Sequence, residues 1–222
     1  MRYVFLGFVL GFLIGAVLKG YGDTRRFSVE VIDLDSGLPN LKLAARAGVR
    51  TLSRKLPIHA RLRKITRRAD DAPEDLVTTR RVAWYESRIG SRGRNWLTMV
   101  FFNSRHKNDY GLARICSTGN RVGYGAVTRE TPLLRAKFFI AHELGHALGS
   151  YHAQPLLPQF EDVPRATIMF PYWDTYFELL KYDRARWGYA RSSRIQIDQC
   201  LKVFGTEPDS GFIFCGGEHD EV

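Results

Sequence analysis

The chain has 222 residues, of which 45% are hydrophobic and 13% are aromatic. This length suits one domain with short appendages, and the apolar content excludes disorder for most of the chain. The formal net charge of +10 indicates an acidic partner or a membrane surface, without naming either one.

Residues 1–22 form an apolar leader with two possible fates. Arg2 precedes an apolar run over residues 3–18, and Lys19 closes it. This layout is typical of a secretory signal peptide, and small residues before Asp23 permit cleavage there. The run is shorter than the roughly 20 residues that a bilayer requires. Nevertheless, glycines recur at the spacing of packed membrane helices, at Gly7, Gly11 and Gly15. Either a signal peptide or a membrane anchor places the domain in the secretory pathway, secreted or membrane-anchored.

Alternating strands and helices are predicted after the leader. Apolar and polar residues alternate over residues 26–34, as in a strand, and apolar residues over 39–56 have the spacing of an amphipathic helix. A second strand is expected at 60–66, whereas 80–87 fits either a strand or a short helix. Residues 96–102 are almost continuously apolar, as expected for a central strand that is covered on both faces.

Cations are concentrated between Lys42 and Arg81. This basic region fits a solvated helix face followed by outward strand positions, or else a patch that binds anionic lipid or a polyanion. Because no aromatic side chains interleave the charges, specific nucleic-acid binding is not expected. The cations are Lys42, Arg46, Arg50, Arg54, Lys55, Arg61, Arg63, Lys64, Arg67, Arg68, Arg80 and Arg81.

Two further strands are expected at 110–116 and 121–127, followed by a buried helix. Thr131 and Pro132 have the composition of a helix start, and the helix should run to about Leu148. Gly149 can end it in the left-handed conformation that glycine adopts cheaply. A last helix is predicted at about 176–189. The pattern predicts a single α/β (α+β) domain over residues 23–204, with a mixed twisted sheet, and a loosely ordered tail over 205–222.

The buried helix carries the string HELGHALGSYH over residues 142–152. His142 and His146 are four residues apart, so their imidazoles project one turn apart and can bind one metal ion. Glu143 lies on an adjacent face, where it can hold a metal-bound water. After Gly149 the chain can return His152 as the third ligand. Three protein ligands with an open fourth position are typical of catalytic rather than structural zinc. The alternative is a helix that buries two histidines and a glutamate for structural reasons, which is costly because nothing would compensate their polar groups.

The spacing HExxHxxGxxH resembles the zinc motif of the metzincin metallopeptidases, which a methionine turn follows. Residues 167–171, TIMFP, resemble that turn, and GLARIC at 111–116 with VGYGAV at 122–127 resembles the adamalysin, or reprolysin, branch. The resemblance implies a metzincin-like domain with a smaller irregular and helical C-terminal subdomain. Two departures are Ala153, where adamalysins usually have aspartate, and the lack of any cysteine before Cys116. A cysteine-based inhibitory propeptide is therefore not expected within this chain.

The resemblance also implies roles for particular residues. Met169 would form a hydrophobic floor beneath the histidines. Gly111, Leu112 and Ala113 would lie on an edge strand that lines the substrate cleft, where an extended peptide pairs by strand addition. One wall of a substrate pocket would be formed by Phe170, Pro171 and Tyr172.

Three cysteines, Cys116, Cys200 and Cys215, leave one thiol over, and their spacing does not identify the pair. The adamalysin resemblance implies that Cys116 bonds Cys200.

The sequence therefore predicts a monomeric endopeptidase with one catalytic zinc ion held by His142, His146 and His152. Glu143 would act as general base on extracellular or membrane-proximal protein substrates. The alternative is a catalytically weak binding module that docks on anionic surfaces through the basic 42–81 region.

Overall fold

The computed structural model describes residues 25–73, 78–89, 93, 95–104, 110–116, 121–152, 166–182, 185–202 and the backbone of 212–215. The leader, Ala153 and most of the C-terminal tail lie outside these residues, so the predictions for them are not addressed. Within the described part of the chain, every helix is too short or too polar to span a bilayer.

A six-stranded mixed sheet forms the centre of the molecule, with strand order β2-β1-β3-β5-β4-β6. Strands β2, β1, β3 and β5 are parallel to one another, whereas β4 is antiparallel to β5 and β6 is antiparallel to β4. The strands are β1 (Arg25–Leu34), β2 (Ile58–Arg68), β3 (Trp96–Asn103), β4 (Tyr110–Arg114), β5 (Arg121–Val127) and β6 (Phe212–Cys215).

Five described helices accompany the sheet: α1 (Leu41–Lys55), α2 (Thr78–Ile89), α3 (Leu133–Ala147), α4 (Trp173–Lys181) and α5 (Arg191–Lys202). Successive residues of β3 supply two cores, because strand side chains alternate between faces. Met99 and Phe101 join the core with α1 and α3, while Val100 and Phe102 join the core with α2. The sheet is therefore covered on both faces, and the predicted mixed α/β fold is confirmed.

Residues 80–87, which fitted either a strand or a helix, belong to α2. Arg81 and Tyr85 lie one turn apart on this helix, and the Arg81 guanidinium donates a hydrogen bond to the Tyr85 hydroxyl at 2.7 Å. The Tyr85 hydroxyl in turn donates to Asp70 at 2.8 Å, and Arg81 also pairs with Asp70. This buried network fixes α2 against the loop that follows β2.

The prediction of one helix over 176–189 is wrong in its bounds. The helix α4 ends at Lys181, because the chain beyond it forms a bridge between Ala185 and Ala166. Arg186 N donates to the Ala166 carbonyl at 2.8 Å, and Ile168 N donates to the Gly188 carbonyl at 2.9 Å. These bonds place residues 185–188 beside the methionine turn. Neither α5 nor the strand β6 within the tail was predicted from the sequence.

The start of α3 also differs in detail from the prediction. The N-cap position is Pro132 rather than Thr131. The Thr131 hydroxyl accepts a hydrogen bond from Thr128 N at 2.9 Å, and Thr131 N donates to the Thr128 carbonyl at 3.1 Å. Thr131 therefore closes the turn between β5 and α3, with Pro132 placed between it and the first helical residue.

Candidate metal centre

His142 and His146 lie on the buried helix α3, one turn apart, and both are at most 1% exposed. The helix is apolar on most of its surface because the sheet, α1 and the methionine turn surround it. The two Nε2 atoms are 3.1 Å apart. The four-residue spacing therefore brings both imidazoles to one point, as predicted.

Gly149 turns the chain at the end of α3 and returns His152 to the other two histidines. Its φ of +109° is the left-handed region predicted from the sequence, and Gly149 N donates to the His146 carbonyl at 2.7 Å. The His152 ring centroid lies 4.7 Å from that of His146 and 5.4 Å from that of His142. One nitrogen from each histidine lies within 4.8 Å of the others.

Backbone carbonyls fix the orientation of the first two imidazoles. His142 Nδ1 donates to the Ile168 carbonyl at 2.5 Å, and His146 Nδ1 donates to the Ser150 carbonyl at 2.6 Å. A carbonyl oxygen only accepts, so each Nδ1 carries the hydrogen and each Nε2 presents its lone pair. A backbone partner for the second ring nitrogen is usual for histidines that bind metals.

The protonation of the three histidines suits metal binding. Burial lowers the pKa of His142 to about 3, with a further contribution from His152. The pKa of His146 is held well below its usual range by burial and then by His142 and His152, and burial lowers the pKa of His152 to about 4. All three imidazoles are therefore neutral at neutral pH, which is the form that binds a metal ion.

The donor set fits a zinc ion. Two neutral imidazoles that point lone pairs at each other across 3.1 Å repel unless a cation lies between them. Two nitrogens about 2.0–2.1 Å from one tetrahedral zinc would be about 3.3 Å apart, close to the observed separation. His142, His146 and His152 would hold the ion and leave a fourth position for water or substrate.

Glu143 lies fully buried between α3 and the sheet, at the point where β4 and β5 carry glycines. A Cβ atom on Gly111 would lie 2.0 Å from Glu143 Oε1, and one on Gly123 would lie 2.6 Å from Glu143 Cβ. Both contacts are possible only because these residues lack side chains. The contact of Gly123 with Glu143 was not predicted, because no local feature of the sequence indicates which strand crosses α3.

Met169, which the metzincin resemblance places beneath the histidines, packs against α3. A Cβ atom on Gly145 would lie 2.7 Å from Met169 Sδ, so the thioether occupies the space beside the backbone between His142 and His146. On the neighbouring side, Phe138 stacks on the His142 ring at a centroid distance of 5.1 Å. Tyr189, which was not predicted as part of the site, donates its hydroxyl to the Ala141 carbonyl at 2.5 Å. These groups hold the helix that carries the ligands.

The residues expected in a substrate cleft are dispersed. Strand β4 is not at the edge of the sheet, because β6 pairs with its outer side. Gly111 faces Glu143, whereas Leu112 faces the opposite core with α2. After Met169, Phe170 is buried, Pro171 is half-buried and Tyr172 is 59% exposed. The structure therefore replaces the predicted open edge with a covered one.

A disulfide joins Cys116 to Cys200 with a Cα–Cα distance of 5.7 Å, as the resemblance implied. Cys116 follows β4, and its backbone N–H donates to the His146 carbonyl at 3.3 Å. Cys200 lies on α5, where a Cβ atom on Gly149 would be 2.4 Å from the Cys200 Cβ. The disulfide therefore lies against the turn that carries His152.

Comparisons with known proteins agree with this architecture. No protein-family profile matches the chain, and no curated protein sequence does. Among solved structures, the archaemetzincin of Methanopyrus kandleri superposes with a TM-score of 0.55 at 19% identity, over 82% of this chain and 98% of that one. Metalloproteinase-II of Bacteroides fragilis gives a TM-score of 0.48 at 11% identity, over 80% of this chain and 53% of that one. The chain therefore has a metzincin-like fold, similar to that of archaemetzincin.

Proposed function

We propose that the protein is a zinc-dependent endopeptidase. The observation that carries the proposal is the convergence of His142, His146 and His152 beside the buried carboxylate of Glu143. The similarity to the archaemetzincin fold supports the same conclusion. Assignment to the adamalysin branch depends on sequence resemblance alone, in the residue blocks at 111–116 and 122–127 and in the turn at 168–171.

The residues have separable tasks in peptide-bond hydrolysis. A zinc ion held by His142, His146 and His152 would supply an activated water and a Lewis acid for the scissile carbonyl. The three imidazoles bind the ion in their neutral form, and the Ile168 and Ser150 carbonyls keep the rings of His142 and His146 in orientation. Glu143 accepts a proton from the attacking water and delivers it to the leaving amine.

Substrate binding by strand pairing favours an endopeptidase over an exopeptidase. Strand pairing uses hydrogen bonds to main-chain N–H and C=O groups and does not require a free chain terminus. Strand β4 contacts Glu143 through Gly111, so a peptide that takes the place of β6 on the outer side of this strand would lie beside the general base. By the metzincin resemblance, Phe170, Pro171 and Tyr172 would form a pocket wall that favours an apolar side chain. Because of the apolar leader, we propose extracellular or membrane-proximal proteins as substrates.

The test is to measure zinc content and hydrolysis of casein and of a quenched fluorescent peptide in four proteins. The wild type should be active, and 1,10-phenanthroline should abolish its activity. Glu143→Gln should retain one zinc ion per chain but lose at least about 100-fold in kcat, because proton transfer then has no base. His146→Ala should lose both the metal after dialysis and the activity.

His59→Ala is the matched control, because His59 is exposed on β2 and should leave metal and activity unchanged. Wild-type turnover by Glu143→Gln would refute the role of the carboxylate. A wild type that binds zinc but hydrolyses neither substrate would refute the peptidase.

We also propose that the basic 42–81 region docks the protein on anionic lipid or a polyanion. A groove of about 530 Å³ between α1 and β2 favours it. Five cations line the groove together with apolar Leu41, Leu62 and Ile65; they are Lys42, Arg46, Arg63, Lys64 and Arg67. Such docking would be compatible with peptidase activity.

A further inference from the structure

Strand β6 covers the outer side of β4, the strand that contacts Glu143. The pairing is antiparallel over all four residues of β6. The register places Cys215 opposite Gly111, Phe214 opposite Leu112, Ile213 opposite Ala113 and Phe212 opposite Arg114. The segment that pairs with β4 therefore comes from the chain's own C-terminal region.

A substrate peptide that pairs with β4 would have to use the outer side of this strand. Gly111 touches the Glu143 carboxylate, and neighbouring strands lie about 4.8 Å apart. A peptide paired with β4 at Gly111 therefore passes about one strand spacing from the general base. The inner side of β4 is unsuitable for this purpose, because β5 pairs with it over Tyr110–Ala113.

We propose that residues 212–215 occupy the place of the substrate backbone and inhibit the peptidase by competition. This inference rests on the proposed peptidase function and adds its regulation. Strand addition uses main-chain hydrogen bonds, so an internal strand and a substrate strand cannot pair with the same side of β4 together. The occupant has the sequence Phe-Ile-Phe-Cys.

The covalent connection gives the internal strand an advantage over a free peptide. β6 and β4 belong to one chain, so their pairing is intramolecular and does not depend on protein concentration, unlike the binding of a free peptide. A substrate present at micromolar concentration competes poorly against such an occupant. The peptidase should therefore have a high apparent KM, which falls when β6 leaves β4.

The experiment opens β6 within the full, zinc-loaded chain. Proline has no N–H, and successive N–H groups of a strand point to opposite sides. In the double variant Ile213→Pro, Phe214→Pro, one proline must therefore remove a donor that faces β4. The matched control is Ile213→Val, Phe214→Tyr, which keeps both N–H groups and two strand-forming side chains.

Three quantities are measured in the wild type, the proline variant and the control. Hydrogen exchange follows the amides of residues 110–114. Fluorescence polarisation follows the peptide Gly-Phe-Ile-Phe-Ser-Gly, labelled with fluorescein, in proteins that also carry Glu143→Gln. Turnover of the quenched peptide gives kcat and KM. In the proline variant we expect faster exchange, about tenfold tighter peptide binding and a similar fall in KM, with kcat within about twofold. The control should match the wild type.

Two results would overturn the inference. In one, amides 110–114 exchange equally fast in the wild type and the proline variant, so that β6 does not protect β4. In the other, exchange accelerates while peptide affinity and KM stay constant, so that β6 and the peptide bind different places. Tighter peptide binding by the proline variant without hydrolysis by any protein would retain the competition and refute the peptidase instead.

Discussion

Adding a single methyl group at Gly111 should strongly reduce kcat of the proposed reaction. A methyl group there would meet Glu143 Oε1 at 2.0 Å, and β4 cannot retreat because strands pair with it on both sides. Gly111→Ala should therefore displace the carboxylate. A displacement of about 1 Å can reduce a rate by about 100-fold, so we expect kcat to fall between tenfold and 100-fold with zinc content unchanged.

Gly188→Ala is the control for that measurement, because its added methyl would only make an ordinary contact with Lys55 at 3.9 Å. Kinetics of the quenched peptide and metal analysis on both variants separate a misplaced base from a lost ion. An alanine at Gly111 that preserves kcat would show that the carboxylate does not act from the position seen here.

The metal ligands could be predicted from the sequence, whereas the surroundings of the base could not. His142 and His146 follow from the helical repeat, and His152 follows from the single glycine that ends the helix. Each of these inferences uses neighbours within eleven residues. The contacts of Gly111 and Gly123 with Glu143 depend on which strand crosses α3, and this depends on long-range packing.

Among the elements, the disulfide between the end of β4 and α5 is the connection that should matter most for stability. Cys116 and Cys200 are separated by 84 residues, and the bond restricts a long loop in the unfolded chain. Cys116→Ser, Cys200→Ser should lower the free energy of unfolding by about 2–4 kcal/mol. Urea unfolding of the zinc-free protein, followed by circular dichroism, measures this loss.

Cys215→Ser provides the comparison, because Cys215 is not part of the bond between Cys116 and Cys200. It should leave the midpoint of unfolding within experimental error of the wild type. Equal losses in the two variants would mean that Cys215 shares in the disulfide in solution, an alternative that cysteine spacing alone left open.

Elements with strong local patterns were predictable, and those with weak patterns were not. The helix α1 and the strand β3 carry clear apolar repeats, and both lie where the sequence placed them. The helix α5 buries only Ser193, Ile197, Cys200 and Leu201, which is too polar a set to stand out. Strand β6 has four residues, and its partner β4 lies about a hundred residues earlier.

At the scale of the whole molecule, the sheet has two unlike edges. The edge beside the candidate site is covered by β6, whereas β2 forms the opposite edge and carries exposed cations along its length. Charged side chains on an edge strand prevent association with other sheets, so part of the basic region serves the fold itself. Lys64 and Arg67 also pair with Glu30 and Asp33 of the adjacent strand.

A docking role requires more than a charged edge, and salt dependence tests for it. Lys42, Arg46 and Arg63 line the groove between α1 and β2, and their side chains are exposed. If these three residues bind a polyanion together, changing all three to glutamine should lower the salt concentration at which the protein elutes from heparin. The decrease should be larger than the decrease caused by removing three positive charges elsewhere on the surface. Turnover of an uncharged peptide should not change.

The comparison protein carries Lys181→Gln, Arg194→Gln and Lys202→Gln, which remove the same charge from exposed positions on α4 and α5. Both triple variants have the same net charge, so a difference between them measures the arrangement of the cations rather than their number. Equal elution would assign heparin retention to the net charge of +10 alone. It would leave the cations of α1 and β2 with the role of protecting a sheet edge, because that role needs charge on the strand but no bound partner.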